Sequence, residues 1–103
     1  MTSRKTQRMR ELKEIEPAID AAVLLLHRRG NIRRCEARLA IYDYLGLQRN
    51  ELCEQLNVAP GTLDKYWTRI YVATGRQGRK AAREWVEQIL VQATARKALP
   101  APP

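Results

Sequence analysis

Apolar residues recur along this chain at the three- and four-residue spacing of amphipathic helices, and no segment alternates as a strand would. Proline and glycine residues interrupt the pattern at the positions where helices begin and end. The pattern predicts five helices: Pro17 to Arg29, Cys35 to Leu45, Arg49 or Asn50 to Asn57, Pro60 to Thr74, and Arg79 to Ala98. We therefore expect an all-α protein.

The helices divide the chain into four parts within a length that suits one domain core. Residues 1–15 form a basic N-terminal segment, and residues 16–34 form an apolar helix and its link. Residues 35–98 form the main helical domain. Residues 99–103, with the sequence LPAPP, are expected to be a disordered tail.

The charge balance indicates a polyanionic partner. The chain carries a formal net charge of +8, and its basic residues are 14 Arg and 5 Lys. Arg makes forked contacts to phosphate and guanine, whereas Lys is a hydrated point charge. The composition therefore favours a nucleic acid over an anionic membrane or an acidic protein.

Several classes of protein are excluded on sequence grounds. The longest apolar run, Ala21 to Leu26, is far shorter than the roughly 20 residues of a membrane span, and the N-terminus does not resemble a signal peptide. Cys35 and Cys53 with the single His27 do not have the spacing of a zinc site. No nucleotide-binding or nucleophile motif is present. We expect a cytoplasmic protein that is not an enzyme and holds no metal or cofactor.

Two helices around Val58 have the spacing of a helix-turn-helix. Residues 51–56 form a short first helix, residues 57–61 form the turn, and residues 62–71 form the second helix. Leu63 and Ile70 face inward, so Asp64, Lys65, Thr68 and Arg69 remain exposed. An ordinary αα-hairpin with a solvated polar face would give the same spacing, and only the positive charge favours DNA.

Residues 36–85 resemble the LuxR/GerE-type DNA-binding domain. The resemblance depends on the following residues, which keep the register of the family pattern without gaps: Glu36, Leu39-Ala40-Ile41, Gly46, Leu52-Cys53, Leu56-Asn57-Val58, Thr62-Leu63, Ile70 and Gly75. It implies a tetrahelical helix-turn-helix fold, here with an extra N-terminal helix, that binds double-stranded DNA and is associated with the nucleoid.

The chain also departs from the family pattern. Asp64 stands where a basic residue often follows the Thr-Val pair, and Ala73-Thr74 replaces Lys-Leu. A carboxylate at position 64 repels phosphate, although it can accept a hydrogen bond from cytosine N4. Only about 35 residues precede Glu36, so we expect a stand-alone domain without a receiver or sensor. Control would then come from concentration, a partner protein or competition at a promoter.

The predicted interface follows from the exposed positions and from the resemblance. We expect Asp64, Lys65 and Thr68 to face DNA bases. Residues expected at phosphates are Thr62, Tyr66, Arg69, Arg76, Arg79 and Lys80. Arg83 belongs to the same basic cluster, for which a solvated charge run is the alternative.

A homodimer is expected because two apolar surfaces need cover. The helix from Pro17 is apolar on nearly every side, and the last helix carries a continuous apolar stripe. The residues expected at the dimer seam are Leu24, Leu25, Trp85, Val86, Ile89 and Leu90. A two-fold dimer would place two recognition helices roughly 34 Å apart on a palindromic site. The alternative is a monomer in which the first helix folds over its own stripe.

The sequence thus predicts a sequence-specific transcriptional regulator. Two alternatives remain open. One is a helix-turn-helix adaptor or coactivator that binds RNA polymerase or another regulator through an exposed apolar groove. The other is a non-specific nucleic-acid-binding protein, whose affinity would depend on salt alone.

Overall fold

The computed structural model describes residue 10 and residues 12–98, with side chains up to residue 93. Its helices are α1 (Glu16–Gly30), α2 (Arg34–Tyr44), α3 (Arg49–Leu56), α4 (Pro60–Thr74) and α5 (Arg79–Ala98). The residues before α1, at positions 12–14, are also helical, and the described part of the chain contains no strand. The all-α expectation is confirmed, and each helix begins and ends within one residue of its predicted bounds. The predicted tail at 99–103 lies outside the described residues, as does most of the basic segment at 1–15.

The helix ends follow from local chemistry. Pro17 and Pro60 lie in the first turns of α1 and α4, where a missing N–H costs no helical hydrogen bond. Asn31, Asn57 and Gly75 adopt the left-handed conformation directly after α1, α3 and α4. These three residues tolerate a positive φ better than most, so they stop the helices where the sequence predicted.

The helices pack around α2, whose apolar side chains are buried on most sides. One continuous core joins all five helices and two connecting loops. Its residues are Ile19, Val23, Leu26, Ile32, Ala37, Leu39, Ala40, Ile41, Tyr42, Leu47, Leu52, Leu63, Trp67, Ile70, Ala82, Val86 and Ile89. Since α1 contributes to the same core as α2 to α5, it belongs to the same packed unit as the main helical domain.

Packing within one chain covers part of the surface assigned to a dimer seam. Val86 and Ile89 are buried in the core, so their assignment to a seam between two copies is wrong. A Cβ atom on Gly30 would lie 2.7 Å from the indole of Trp85, so this ring packs against the end of α1 in the same chain. Leu24, Leu25 and Leu90 are half-buried.

Within a single chain, only one side of α1 is buried. The residues Ile19, Val23 and Leu26 form one buried stripe, whereas Ala18 and Ala21 are exposed. The other apolar side of α1 forms a wall of an open groove of about 600 Å³. The lining residues are Ile15, Ala18, Ile19, Ala21, Ala22, Leu25, Ile41, Tyr44, Leu45, Leu90 and Ala93. No residue of α3 or α4 is among them.

Ion pairs tie α2 to α5 and to α1. Arg83 of α5 donates from Nε to Asp43 Oδ2 at 2.9 Å and from Nη2 to Asp43 Oδ1 at 3.1 Å. The Asp43 side chain is only 1% exposed. Arg38 pairs with Asp20 of α1 at 2.7 Å on the surface. In the described part of the chain, no helix is long and apolar enough to cross a membrane.

Candidate nucleic-acid interface

The exposed side of α4 is a ridge of residues that recur at helical spacing. Gly61, Lys65, Thr68 and Val72 form its crest, and each is exposed to solvent. Val72 is 79% exposed although it is apolar. The opposite side of α4 carries the core residues Leu63, Trp67 and Ile70. This burial determines which side of α4 faces away from the protein.

The connection between α3 and α4 has only three residues, 57–59. The N–H of Val58 donates to the carbonyl of Cys53 at 3.0 Å, and the Val58 side chain packs against the core. The N–H of Leu63 then donates to the carbonyl of Ala59 at 3.1 Å. The Val58 contacts fix the turn against the end of α3, directly before α4 begins.

One flank of the ridge carries an ion pair between α3 and α4. Arg49 Nη1 donates to Asp64 Oδ1 at 2.8 Å, and Arg49 Nη2 donates to Asp64 Oδ2 at 3.0 Å. The same Nη2 lies 3.3 Å from the carbonyl oxygen of Pro60. The hydrogen bonds from Arg49 lower the pKa of Asp64, and the charge of Arg79 contributes to the same shift. Asp64 is therefore ionised and engaged rather than free on the crest.

Arg79 extends this flank from the first turn of α5. Its guanidinium lies over the ring of Trp67, 5.4 Å from the centroid. Trp67 itself stacks with Tyr71, with the ring centroids 5.8 Å apart. A cation over an aromatic face is attracted by the ring quadrupole, so Arg79 is held beside α4.

The other flank of the ridge faces the N-terminus of α2. Arg69 Nη1 lies 3.8 Å from Glu36 Oε2, and the Arg69 side chain remains 51% exposed. Glu36 is buried and its other oxygen, Oε1, accepts a hydrogen bond from the N–H of Arg33 at 3.0 Å. Glu36 thus stabilises the start of α2 and also attracts the Arg69 side chain of α4 toward α2.

Tyr66 lies on the same flank next to Cys35. The electrostatic influence of the neighbouring Cys35 raises the pKa of Tyr66, and burial adds to the shift. The phenol therefore keeps its proton at neutral pH and can donate a hydrogen bond. Thr62 is half-buried one turn earlier on this flank.

The junction between α4 and α5 carries the remaining predicted phosphate contacts. Lys80 is exposed, whereas Arg76 Nη2 donates to Gln88 Oε1 at 3.2 Å. Arg83 differs from its neighbours because it is engaged with buried Asp43. The backbone contact expected of this cluster stays a prediction for Arg83, whose guanidinium already has a structural role in binding Asp43.

The structure brings most of the predicted site residues together around α4, with one change of place. Lys65 and Thr68 lie on the crest, but Asp64 lies on a flank in an ion pair. The sequence pattern did not identify Arg49 as a site residue, because its partner Asp64 lies 15 positions away along the chain. The one available signal was Asp64 itself, an acidic residue in a basic surface that needs a nearby cation.

The chemistry of this surface is that of hydrogen bonding and charge. Among the described residues, no group of three or more His, Cys, Asp or Glu side chains could hold a metal ion. The groups that α4 and its flanks present are amines, guanidinia, hydroxyls and one engaged carboxylate. Such groups recognise a polyanion with hydrogen-bonding edges.

No protein-family model, curated protein or solved structure matches this chain. The resemblance to the LuxR/GerE-type domain therefore stays a prediction from its own residues.

Proposed function

We propose that this protein is a sequence-specific transcriptional regulator that inserts α4 into the major groove of double-stranded DNA as a homodimer. The observation that carries the proposal is the exposed ridge of α4 with basic side chains on both flanks. Arg79 lies on one flank, next to the ion pair of Arg49 with Asp64, and Arg69 lies on the other. In this proposal α3 and α4 form a helix-turn-helix of the LuxR/GerE type within a tetrahelical domain.

The geometry of B-DNA supports this function. Its major groove is about 12 Å wide and admits one α-helix, with a phosphate backbone on each side. A helix that enters the groove needs a polar crest for the base edges and cations on both flanks for the two backbones. The surface around α4 has cations on both flanks, and its crest presents the polar side chains of Lys65 and Thr68 beside exposed Val72.

Each predicted residue takes a role that suits its place. Lys65 and Thr68 on the crest contact base edges. The proposed phosphate contacts on the flank toward α2 come from Thr62, Tyr66 and Arg69. The proposed phosphate contacts on the opposite side come from Arg76, Arg79 and Lys80. The net charge of +8 adds a long-range attraction that weakens as salt rises.

A double substitution tests the proposal directly. We expect Lys65→Ala with Arg69→Ala to weaken binding to a selected duplex about thirtyfold or more, since each good contact contributes roughly 1–3 kcal/mol. Binding is measured by fluorescence anisotropy at constant salt, after a selection of preferred sites from random duplexes. Circular dichroism melting verifies that the variant folds.

The matched control is Arg10→Ala with Lys13→Ala, which removes the same charge from exposed residues before α1. This control should lose little affinity. Equal losses in the two variants would indicate that charge alone drives binding, as in the non-specific alternative. An unchanged affinity in the folded Lys65 and Arg69 variant would overturn the proposal.

A further inference from the structure

The proposed phosphate contacts do not account for the ion pair between Arg49 and Asp64. It lies at the first turns of α3 and α4, with 45% of the Arg49 side chain and 59% of the Asp64 side chain exposed. We propose that Arg49, oriented by Asp64, reads a guanine in the major groove. This inference rests on the proposed function, because it requires α4 to enter that groove.

The position of the guanidinium favours base contact. Arg49 Nη2 lies 3.3 Å from the carbonyl of Pro60, the first residue of α4. In helix-turn-helix proteins the N-terminal residues of the recognition helix contact base edges. The guanidinium of Arg49 therefore stands over the part of α4 that reaches deepest into the groove.

The charge of the pair also favours a base over a phosphate. The Asp64 carboxylate compensates the charge of Arg49, so the pair has little net attraction for a phosphate. The directional donors of Arg49 remain, because a guanidinium carries five N–H groups and Asp64 takes two of them. On the edge formed by Nε–H and Nη2–H, Nη2 also donates a long hydrogen bond of 3.3 Å to the carbonyl of Pro60, which a bound base has to displace. That edge matches the paired acceptors O6 and N7 of guanine.

Asp64 then acts as a positioning residue. Its two oxygens hold the guanidinium in one orientation, so less side-chain entropy is lost when the base is bound. The sequence had suggested that Asp64 itself accepts a hydrogen bond from cytosine N4. The bidentate contact with Arg49 gives the carboxylate a different task.

The experiment is a selection of bound sites from random duplexes with the wild-type chain, Arg49→Lys, Asp64→Asn and the control Arg10→Lys. We expect the wild-type sites to share a guanine that the Arg49→Lys sites lack. Affinity for a duplex with that guanine replaced should fall roughly 5- to 150-fold for the wild type and little for Arg49→Lys. Asp64→Asn should weaken the preference at the same position, and Arg10→Lys should retain it.

Other outcomes overturn the inference in distinguishable ways. If Arg49→Lys keeps the wild-type base preference and binds all duplexes less well, Arg49 contacts phosphate. If Asp64→Asn removes a cytosine preference that Arg49→Lys retains, Asp64 reads the base itself. If the wild-type chain selects no sequence at all, the proposed function fails together with this inference.

Discussion

At the scale of single residues, the buried carboxylate of Asp43 needs a partner for its charge. It is 1% exposed and is held by two hydrogen bonds from Arg83. We expect Arg83→Ala to lower the free energy of unfolding by roughly 2–4 kcal/mol, because it leaves a buried charge without its partner. Urea denaturation followed by circular dichroism measures this change.

The control for this prediction is Arg38→Ala. Arg38 lies on α2, and its partner is the exposed Asp20 of α1. This substitution should change stability by no more than about 1 kcal/mol. Similar losses in the two variants would mean that the burial of Asp43 does not govern the effect.

At the scale of helices, two glycines with opposite surroundings test how α1 and α5 pack. A Cβ at Gly30 would lie 2.7 Å from the Trp85 ring, whereas a Cβ at Gly61 would meet no atom within 4 Å. We expect Gly30→Ala to destabilise the protein by about 1–3 kcal/mol through overpacking. Gly61→Ala should stabilise it by about 0.4–1 kcal/mol, since alanine restricts the unfolded chain. Thermal melts of the two variants should therefore shift in opposite directions, and shifts of the same sign would contradict the packing described for Trp85.

At the scale of the whole molecule, the proposed homodimer needs a surface that the core has not used. The apolar residues Ile15, Tyr44 and Leu45 lie in the groove between α1, α2 and α5 and are each more than one third exposed. The groove contains no residue of α4, so a contact there leaves the ridge free for DNA. We expect sedimentation equilibrium at micromolar concentration to give twice the chain mass of 11.9 kDa.

Two variants assign the dimer surface. Leu45→Glu places a charge in the groove and should shift the chain toward the monomer. Val91→Glu changes an exposed apolar residue outside the groove lining and should not. A single wild-type species near 11.9 kDa that is unchanged by dilution would contradict the homodimer. It would leave the groove to a different protein, as the adaptor alternative requires.

Much of the candidate site could be read from the sequence because helical spacing alone separates the exposed side of α4 from its buried side. Lys65 and Thr68 were placed on the exposed side in this way, and the structure has them there. The neighbours on the flanks could not be predicted. Tyr66 lies beside Cys35 and Arg69 beside Glu36 only because α2 and α4 pack together.

The sequence by itself determined where each helix begins and ends, since the signals act over a few residues. Pro60 begins α4 and Gly75 ends it through their own backbone preferences, independently of the rest of the chain. The tertiary structure decided which apolar side of α1 is buried and which charges are paired. Asp64 meets Arg49 across 15 positions, and Asp43 meets Arg83 across 40. Such pairs depend on how whole helices pack, because burial and ion pairing are properties of distance in space and not of distance along the chain.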